Sequence, residues 1–263
     1  MPEVSRPRCI AIANQKGGVG KTTTAINLGA ALADLGQRVL IIDLDPQGNA
    51  STGLGIDADQ RIYTTYDLLI EGMGLQEIVL PTGVDNLWIA PATTDLSSAD
   101  VELVSNENRV FLLKDALVPE FLREFDIVLM DCPPSLNLLT VNAMAAADAV
   151  LVPLQTEFFA LEGLSQLMMT IREVRQSANP RLRIEGVVLT MFDIRNNLCR
   201  QVEDDARENL GELVYQTRIP RNVRLSEAPS YAMPILQYDP TSRGSAAYSD
   251  LAREVLARHL QPA

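Results

Sequence analysis

The chain carries a glycine-rich stretch, residues 14–24, with the sequence Asn-Gln-Lys-Gly-Gly-Val-Gly-Lys-Thr-Thr-Thr. An apolar run at residues 9–13 precedes it, and an apolar pattern with helical spacing at residues 25–35 follows it. Strand, glycine-rich loop and helix is the order in which backbone N–H groups and a helix N-terminus bind phosphate. The stretch therefore predicts a phosphate-binding loop, and with it an α/β fold.

The residues predicted to surround the phosphates are Lys16, Gly17, Gly18, Val19, Gly20, Lys21, Thr22 and Thr23. Glycine lets the backbone approach the phosphates closely, Lys21 is predicted to reach the β- and γ-phosphates, and the Thr22 hydroxyl to bind Mg²⁺. The usual pattern has glycine five residues before Gly20, where this chain has Gln15. Instead a second lysine, Lys16, precedes the glycine pair, and these are two of only three lysines in the chain.

Length and composition suit one domain. The 263 residues are 47% hydrophobic, and we predict a single domain, built around the phosphate-binding loop, over residues 1–263. No run of about 18 apolar residues occurs, and no apolar region long enough for a signal peptide precedes the loop. The three cysteines are widely spaced without a C-x-x-C pair, which is typical of reduced thiols. We expect a cytoplasmic protein that does not bind membranes.

The net charge of −12 argues against a protein coated in nucleic acid. The distribution is uneven, because residues 181–225 hold eight arginines and seven acidic residues. A face that binds a polyanion is therefore expected in the C-terminal third of the chain.

Apolar runs alternate with helical patterns along the chain, which predicts a mostly parallel twisted sheet with helices on both faces. The predicted strands are residues 9–13, 39–43, 87–90, 127–131, 149–154, 186–191 and 215–219. The clearest helices are residues 157–177 and 245–260. Residues 56–108, rich in Gly, Asp and Thr, are predicted to form irregular helices beside the sheet.

Acidic residues end two of these predicted strands. Asp43 and Asp45 close the second strand just before Pro46, and Asp131 closes the apolar run 127–131. In open α/β sheets ligands bind at the carboxyl ends of the strands, so these carboxylates are expected over the phosphate loop. Asp131 has the Walker B pattern, in which the carboxylate holds Mg²⁺ through water. For Asp43 and Asp45 a merely polar strand end is the alternative.

The early lysine is the most specific feature. Residues 16–22, Lys-Gly-Gly-Val-Gly-Lys-Thr, resemble the deviant Walker A motif of the ParA/MinD group of P-loop ATPases. In that group the lysine at the position of Lys16 reaches across a nucleotide-sandwiched dimer to the partner's phosphates. The resemblance implies ATP and Mg²⁺ as cofactors and a homodimer in the ATP state.

Both acidic motifs resemble the same group. Residues 43–48, Asp-Leu-Asp-Pro-Gln-Gly, match its second ATPase motif, which implies that Asp45 positions or activates the attacking water and that Asp43 supports the Mg²⁺ shell. Residues 131–135, Asp-Cys-Pro-Pro-Ser, also look like this group and imply a magnesium role for Asp131.

A C-terminal segment narrows the resemblance to the Soj-like chromosomal branch of ParA. Residues 218–229 closely match that branch, in which the residues at Pro220 and Asn222 line the adenine. Residues 191–197 match a second segment. The two segments imply two arginines on the DNA-binding face, Arg195 and Arg224.

The sequence is thus expected to be that of a ParA/Soj-like ATPase for chromosome or plasmid partitioning. The resemblance implies binding of double-stranded DNA without sequence preference by the ATP dimer, and hydrolysis stimulated by a ParB-type centromere-binding protein. It also implies association with the nucleoid in the ATP state.

Three alternatives remain at this point. A MinD-like membrane-positioning ATPase needs a basic, apolar amphipathic C-terminal helix, but here the tail is short and carries Glu254. An iron–sulfur ATPase of similar fold needs two bridging cysteines, and Cys132 and Cys199 do not match its segments. A ParA-type protein that positions a protein cluster on the nucleoid has the same motifs, so sequence does not separate it.

Overall fold

The computed structural model describes residues 6–259, and they contain one eight-stranded sheet in the order β3-β4-β2-β5-β1-β6-β7-β8. Every neighbouring pair is parallel except β3 and β4, which are antiparallel. The strands are β1 Arg8–Ile12, β2 Val39–Asp43, β3 Leu80–Pro81, β4 Leu87–Ala90, β5 Ile127–Asp131, β6 Ala149–Gln155, β7 Arg183–Phe192 and β8 Val214–Pro220.

Twelve α-helices lie in the described part of the chain, together with 3-10 turns and one π-helical turn, Asp67–Glu71. They are α1 Lys21–Asp34, α2 Asn49–Gly53, α3 Leu75–Ile78, α4 Ala99–Glu102, α5 Leu112–Ala116, α6 Pro119–Leu122, α7 Leu138–Ala146, α8 Ala160–Ser177, α9 Asn197–Leu210, α10 Val223–Glu227, α11 Ile235–Tyr238 and α12 Arg243–His259.

The sheet has a hydrophobic core on each face. In β1, Cys9 and Ala11 join the core beneath α7, α8 and α9, whereas Ile10 and Ile12 join the core beneath α1 and α12. This alternation follows from the two-residue period of a strand, and burial on both faces explains why the strands read as continuous apolar runs. The predicted mostly parallel sheet with helices on both faces is confirmed.

The seven predicted strands are confirmed, with shifts at their ends. The largest shift is in β7, which begins at Arg183 and not at Gly186. The antiparallel β3 was not predicted, because two residues are too short for a sequence pattern. Residues 56–108 do form short helices and 3-10 turns around β3 and β4, as predicted.

The two long helices begin close to the predicted residues. Helix α8 begins at Ala160, three residues after the prediction, and α12 begins at Arg243, two residues before it. The predicted last residue of α12, Leu260, lies outside the described residues.

Candidate active site

The glycine-rich loop joins the carboxyl end of β1 to the start of α1. Gly18 and Gly20 have φ values of +76° and +92°, in the left-handed region that favours glycine. Gly20 is the N-cap residue of α1 and no side chain caps that terminus. The N–H groups of the first turn of α1 therefore remain as donors for an anion, and the helix dipole adds partial positive charge.

Lys21 is held inside the loop. Its side chain is buried, and its Nζ donates a hydrogen bond to the carbonyl oxygen of Lys16 at 2.9 Å. Burial lowers the pKa of the Lys21 ammonium, and the nearby Asp131 carboxylate partly offsets this effect. A buried cation bonded across the loop is placed to meet negative charge bound in the loop.

The side chain of Lys16 points elsewhere. It is 42% exposed, and its ammonium pairs with the Glu157 carboxylate, just before α8. The backbone at this position is fixed, because the Lys16 N–H donates to Asn14 Oδ1 at 3.1 Å and the Asn14 amide donates to the carbonyl of Pro153 at 2.8 Å. The two loop lysines thus occupy different environments.

The remaining predicted loop residues line the same turn. Val19 is buried and its carbonyl accepts a hydrogen bond from the Thr190 hydroxyl at 2.8 Å, which ties the loop to β7. Thr22 and Thr23 lie in the first turn of α1, where the Thr23 carbonyl accepts from the Asn27 amide at 2.7 Å. A side chain at Gly17 would lie 3.8 Å from Pro134, after β5.

Asp43 and Asp131 end neighbouring parallel strands and are paired in register, with β5 lying between β2 and β1. Asp43 is fully buried, and its Oδ2 accepts hydrogen bonds from the N–H and the hydroxyl of Ser51 at 3.0 and 2.7 Å. Its Oδ1 accepts from the Asp45 N–H at 3.2 Å. Burial raises the pKa of Asp43 to about 6, although the Ser51 bonds oppose the rise.

Asp131 is also fully buried, but neither of its carboxylate oxygens has a hydrogen-bond partner among residues 6–259. Burial and the neighbouring Asp43 raise its pKa well above the usual value, against the lowering effects of Thr22 and Lys21. An unpartnered buried carboxylate is costly unless a cation or a donor completes it. The site beside Thr22 therefore fits a divalent cation.

The donor set also suits Mg²⁺ in particular. No group of three or more His, Cys, Asp or Glu side chains within residues 6–259 could enclose a metal ion. Mg²⁺ is usually held by one or two carboxylates plus phosphates and water, so it needs no such cage.

Asp45 lies in the turn after β2 and is 6% exposed. Its Oδ1 accepts a hydrogen bond from the Gln47 N–H at 3.0 Å, and its backbone carbonyl accepts from the Gly48 N–H at 2.8 Å. These bonds fix the turn and leave the second carboxylate oxygen, Oδ2, without a hydrogen bond from the described residues. Asp45 also affects the pKa of Lys21, which places the two charges near each other.

The residues predicted to line the adenine lie at the carboxyl edge of β8. Pro220 ends that strand and pairs in register with Phe192 at the end of β7. Asn222 is the N-cap residue of α10, where its side-chain oxygen accepts from the Arg224 N–H at 2.8 Å. Both lie on the same edge of the sheet as the loop, two strands beyond β6.

The two predicted DNA-binding arginines also follow the ends of β7 and β8. The Arg195 side chain is 86% exposed and pairs with Asp193 at 2.8 Å. Arg224 is 54% exposed and pairs with Glu227 at 2.9 Å and Asp239 at 3.5 Å. Side-chain and backbone bonds from Arg195 lower the pKa of Asp193 to about 2. In this state both arginines are engaged by carboxylates of their own chain.

Comparison with known proteins agrees with this geometry. A family model described as an AAA domain matches residues 7–184. The chromosome partitioning protein ParA of Caulobacter vibrioides is 59% identical over 254 residues, covering 95% of this chain and 94% of that protein. The sporulation initiation inhibitor protein Soj of Bacillus subtilis is 52% identical over 250 residues, covering 95% of this chain and 98% of Soj. The chain belongs to the ParA/Soj family of chromosome-partitioning ATPases.

A solved structure shares the fold over nearly the whole chain. The structure of cobyrinic acid a,c-diamide synthase from Mycobacterium smegmatis with bound ATP analog and magnesium has a TM-score of 0.86 at 36% identity. The superposition covers 97% of this chain and 96% of the synthase chain. The predicted family and ATPase activity of this ParA/Soj protein are confirmed.

No helix of this ParA/Soj ATPase within residues 6–259 is both long and apolar enough to cross a membrane. The cysteines Cys9, Cys132 and Cys199 are all buried, whereas a cluster shared by two subunits needs thiols at the surface.

Sequence reasoning missed three residues that shape the ParA/Soj site. Ser51 holds Asp43, Thr190 holds the loop at Val19, and Glu157 pairs with Lys16. Serine and threonine are common at strand ends and turns, so neither hydroxyl gave a signal. Glu157 lies three residues after the end of the predicted strand 149–154, at the carboxyl edge of the sheet, and that position was a signal that could have found it.

Proposed function

We propose that this ParA/Soj ATPase segregates DNA, chromosomal or plasmid, by cycling between an ATP-bound homodimer and a released state. The proposal includes a single P-loop domain over residues 1–263, ATP and Mg²⁺ bound at residues 16–23, and sequence-independent binding of double-stranded DNA. A ParB-type centromere-binding protein stimulates hydrolysis. The protein acts in the cytoplasm and joins the nucleoid when ATP is bound. The whole-length identity to ParA and Soj supports this role.

The observation that carries the proposal is the different placement of the two loop lysines. Lys21 is buried and bonded across its own loop, so it serves the phosphates bound by its own subunit. The backbone of Lys16 is fixed, but its side chain is partly exposed and points away from the loop, where its ammonium pairs with Glu157. A lysine side chain held by a surface ion pair can leave at little cost, because such pairs are weak. Lys16 is therefore free to reach the phosphates of a second subunit.

The chemistry follows from positioning and charge. The N–H groups of the loop and Lys21 hold the β- and γ-phosphates, while Thr22 and Asp131, supported by Asp43, provide the site for Mg²⁺. Mg²⁺ supplies charge neutralisation on the phosphate oxygens when bound. Asp45 accepts a hydrogen bond from a water molecule and orients its oxygen toward the γ-phosphorus.

Hydrolysis proceeds by direct attack of water, without a covalent enzyme intermediate. The bond between the water oxygen and the γ-phosphorus forms, and the bond from the γ-phosphorus to the bridging oxygen breaks. ADP and inorganic phosphate leave, and one proton of the water is released to solvent. Lys21 and the Lys16 of the second subunit stabilise the negative charge that develops on the transferred group.

Pro220 and Asn222 are proposed to lie beside the adenine, at the end of β8. Arg195 and Arg224 are proposed to bind DNA phosphates, which carry no sequence information. A dimer doubles these contacts on one surface, so nucleotide controls DNA affinity through subunit closure.

The proposal is tested by comparing Lys16→Ala with Lys21→Ala. Lys21→Ala should lose ATP affinity, whereas Lys16→Ala should keep most of its affinity as a monomer and lose the ATP dimer. Calorimetric titration with ATP measures the first property, and light scattering after size-exclusion chromatography in ATP measures the second. A Lys16→Ala protein that dimerises in ATP as well as the parent would refute the cross-subunit role. Localisation of the cargo after gene deletion separates DNA from a protein cluster.

A further inference from the structure

A cavity of about 550 Å³ lies at the amino edge of the sheet, opposite the phosphate loop. Its apolar lining residues include Leu117, Leu122, Ala145, Ala146 and Pro180. Ligand pockets for small molecules usually measure roughly 300–1,000 Å³ and have mostly apolar walls with a few polar groups. The cavity has the size and lining of such a pocket.

Four cationic side chains surround the cavity, Arg6, Lys114, Arg123 and Arg181, with a single carboxylate, Asp148. This concentration is unusual in a chain of net charge −12 with only three lysines, of which two serve the phosphate loop. The cations come from separate segments: before β1, on α5, after α6 and after α8. The fold therefore gathers positive charge around one cavity.

Internal contacts account for little of this charge. Within residues 6–259 these cations make one ion pair, Arg6 with Asp148 at 3.3 Å. Asp148 is also engaged by the backbone, because its Oδ2 accepts from the Cys9 N–H at 2.9 Å. Lys114 lies 5.6 Å from the centre of the Phe111 ring, a weak contact at an exposed site.

The C-terminal end of α7 would be another reason to place cations here, since helix C-termini attract positive charge. Two carbonyls at that end are already satisfied. The Asn179 amide donates to the carbonyl oxygens of Met144 and Ala147 at 2.9 and 2.7 Å. Lys114, in the last turn of α5, and Arg123, at the C-cap of α6, also suit the dipoles of those short helices. Within the described part of the chain neither they nor Arg181 makes an ion pair, so their charges remain available to an anion.

We infer that this cavity binds a small molecule that carries two or more phosphates on a heterocyclic body, at a site separate from the ATP loop. The three cations, which come from different segments, match several negative groups, and an arginine guanidinium can bind phosphate oxygens bidentately. The apolar lining residues match the flat body of the ligand, which a ligand made of phosphates alone would not contact. The ligand class follows from this combination of charge and apolar surface.

The test uses the full-length protein saturated with ADP and Mg²⁺, so that the phosphate loop is filled. Adenosine 3′,5′-bisphosphate is the probe, and isothermal titration calorimetry measures its binding. We expect saturable binding of one molecule per chain, weaker binding of inorganic pyrophosphate, and none of adenosine. Lys114→Ala, Arg123→Ala and Arg181→Ala should each weaken binding by at least about tenfold, since a hydrogen bond to a charged group contributes about 1.5–3 kcal/mol.

Arg253→Ala is the matched control, because this arginine is 62% exposed on α12 and pairs with Asp250, away from the cavity. It should bind the probe as the parent does. No saturable binding, or an equal loss in Arg253→Ala, would overturn the inference. Binding of a glutamate-rich peptide without the bisphosphate would also overturn it, and would assign the cavity to an acidic protein segment. The proposed ATPase cycle is unaffected by either result, because the readout is binding with the loop already filled.

Discussion

Replacing Ser51 by alanine should expose how strongly the fold supports the Asp43 carboxylate. The Ser51 hydroxyl donates to Asp43 Oδ2 at 2.7 Å and accepts from the Ala92 N–H at 3.1 Å. Both Ser51 and Asp43 are fully buried. Ser51→Ala therefore removes one bond to a charged group and leaves one buried N–H without its partner.

The two losses have different sizes. The orphaned Ala92 N–H costs about 1–3 kcal/mol. The free-energy cost of losing the bond to the carboxylate has an upper limit, because Asp43 can take up a proton and become neutral instead. With its pKa at about 6, protonation at pH 7.5 costs about 2 kcal/mol. The expected total at pH 7.5 is about 3–5 kcal/mol of unfolding free energy.

At pH 5 the cost of Ser51→Ala should fall by about 1 kcal/mol, because Asp43 is already protonated and its bond to the hydroxyl is then a weaker, neutral one. Urea denaturation of the nucleotide-free and magnesium-free protein at both pH values measures this difference. Ser165→Ala is the matched control, since that exposed hydroxyl on α8 donates to the Leu161 carbonyl at 2.9 Å. The control should change stability by less than about 0.5 kcal/mol.

The reasoning is wrong if Ser51→Ala costs no more than the control at both pH values. It is also wrong if the cost is larger at pH 5 than at pH 7.5, because the charged form of Asp43 would then not depend on the hydroxyl.

Three further predictions test the proposed site. Asp45→Ala should bind ATP and dimerise but fail to hydrolyse it, which leaves the protein trapped on DNA; parent-like phosphate release would contradict this role. Arg195→Glu and Arg224→Glu should each weaken binding to any duplex, and each should reduce the slope of log binding constant against log salt concentration by about one unit. Arg253→Glu, the control, should change neither quantity. Filter binding in ATP at several salt concentrations measures both. In the nucleotide-free, magnesium-free protein the pKa of Asp43 is about 6 against 3.8, so the folded state holds the extra proton. The stability that this proton contributes is present below about pH 4 and is lost as pH rises through 6, by up to about 3 kcal/mol. Urea titrations should show a steeper loss of stability with rising pH in the parent than in Asp43→Asn, which keeps the slope caused by the raised pKa of Asp131; equal slopes would contradict the role of Asp43.

The elements that were predicted correctly are those with a local cause. A strand buried on both faces needs an unbroken apolar run, and a phosphate loop needs glycines between a strand and a helix. These patterns are complete within about ten residues, so β1, β2, β5 and the loop could be recognised in the sequence.

The start of β7 shows where local patterns fail. Arg183 and Glu185 lie just outside the predicted strand 186–191, but both belong to β7, and Glu185 is buried and forms an ion pair with Arg8. It also accepts a hydrogen bond from the Tyr215 hydroxyl at 3.2 Å. A buried charge is tolerated when distant segments supply its partners, and those partners cannot be read from the strand itself.

The supporting contacts of the candidate site have the same origin. Thr190 and Val19 are 171 residues apart in the chain, and Ser51 reaches the backbone of Ala92 across 41 residues. A sequence motif names the groups that touch a ligand, but the side chains that hold these groups come from whichever strand the topology places beside them.

The described ion pairs also explain how an acidic protein could bind polyanions. Lys16, Arg195 and Arg224 are the cations proposed to meet phosphates outside their own subunit, and each is paired with a carboxylate of its own chain. All three side chains are well exposed, so these pairs add little to stability and are weakened further by salt. Binding a phosphate then exchanges one weak pair for a stronger charge-assisted contact. Because the freed carboxylate repels the same phosphate, a single contact gains little. Affinity therefore requires several such exchanges at once, which a dimer provides and one subunit does not.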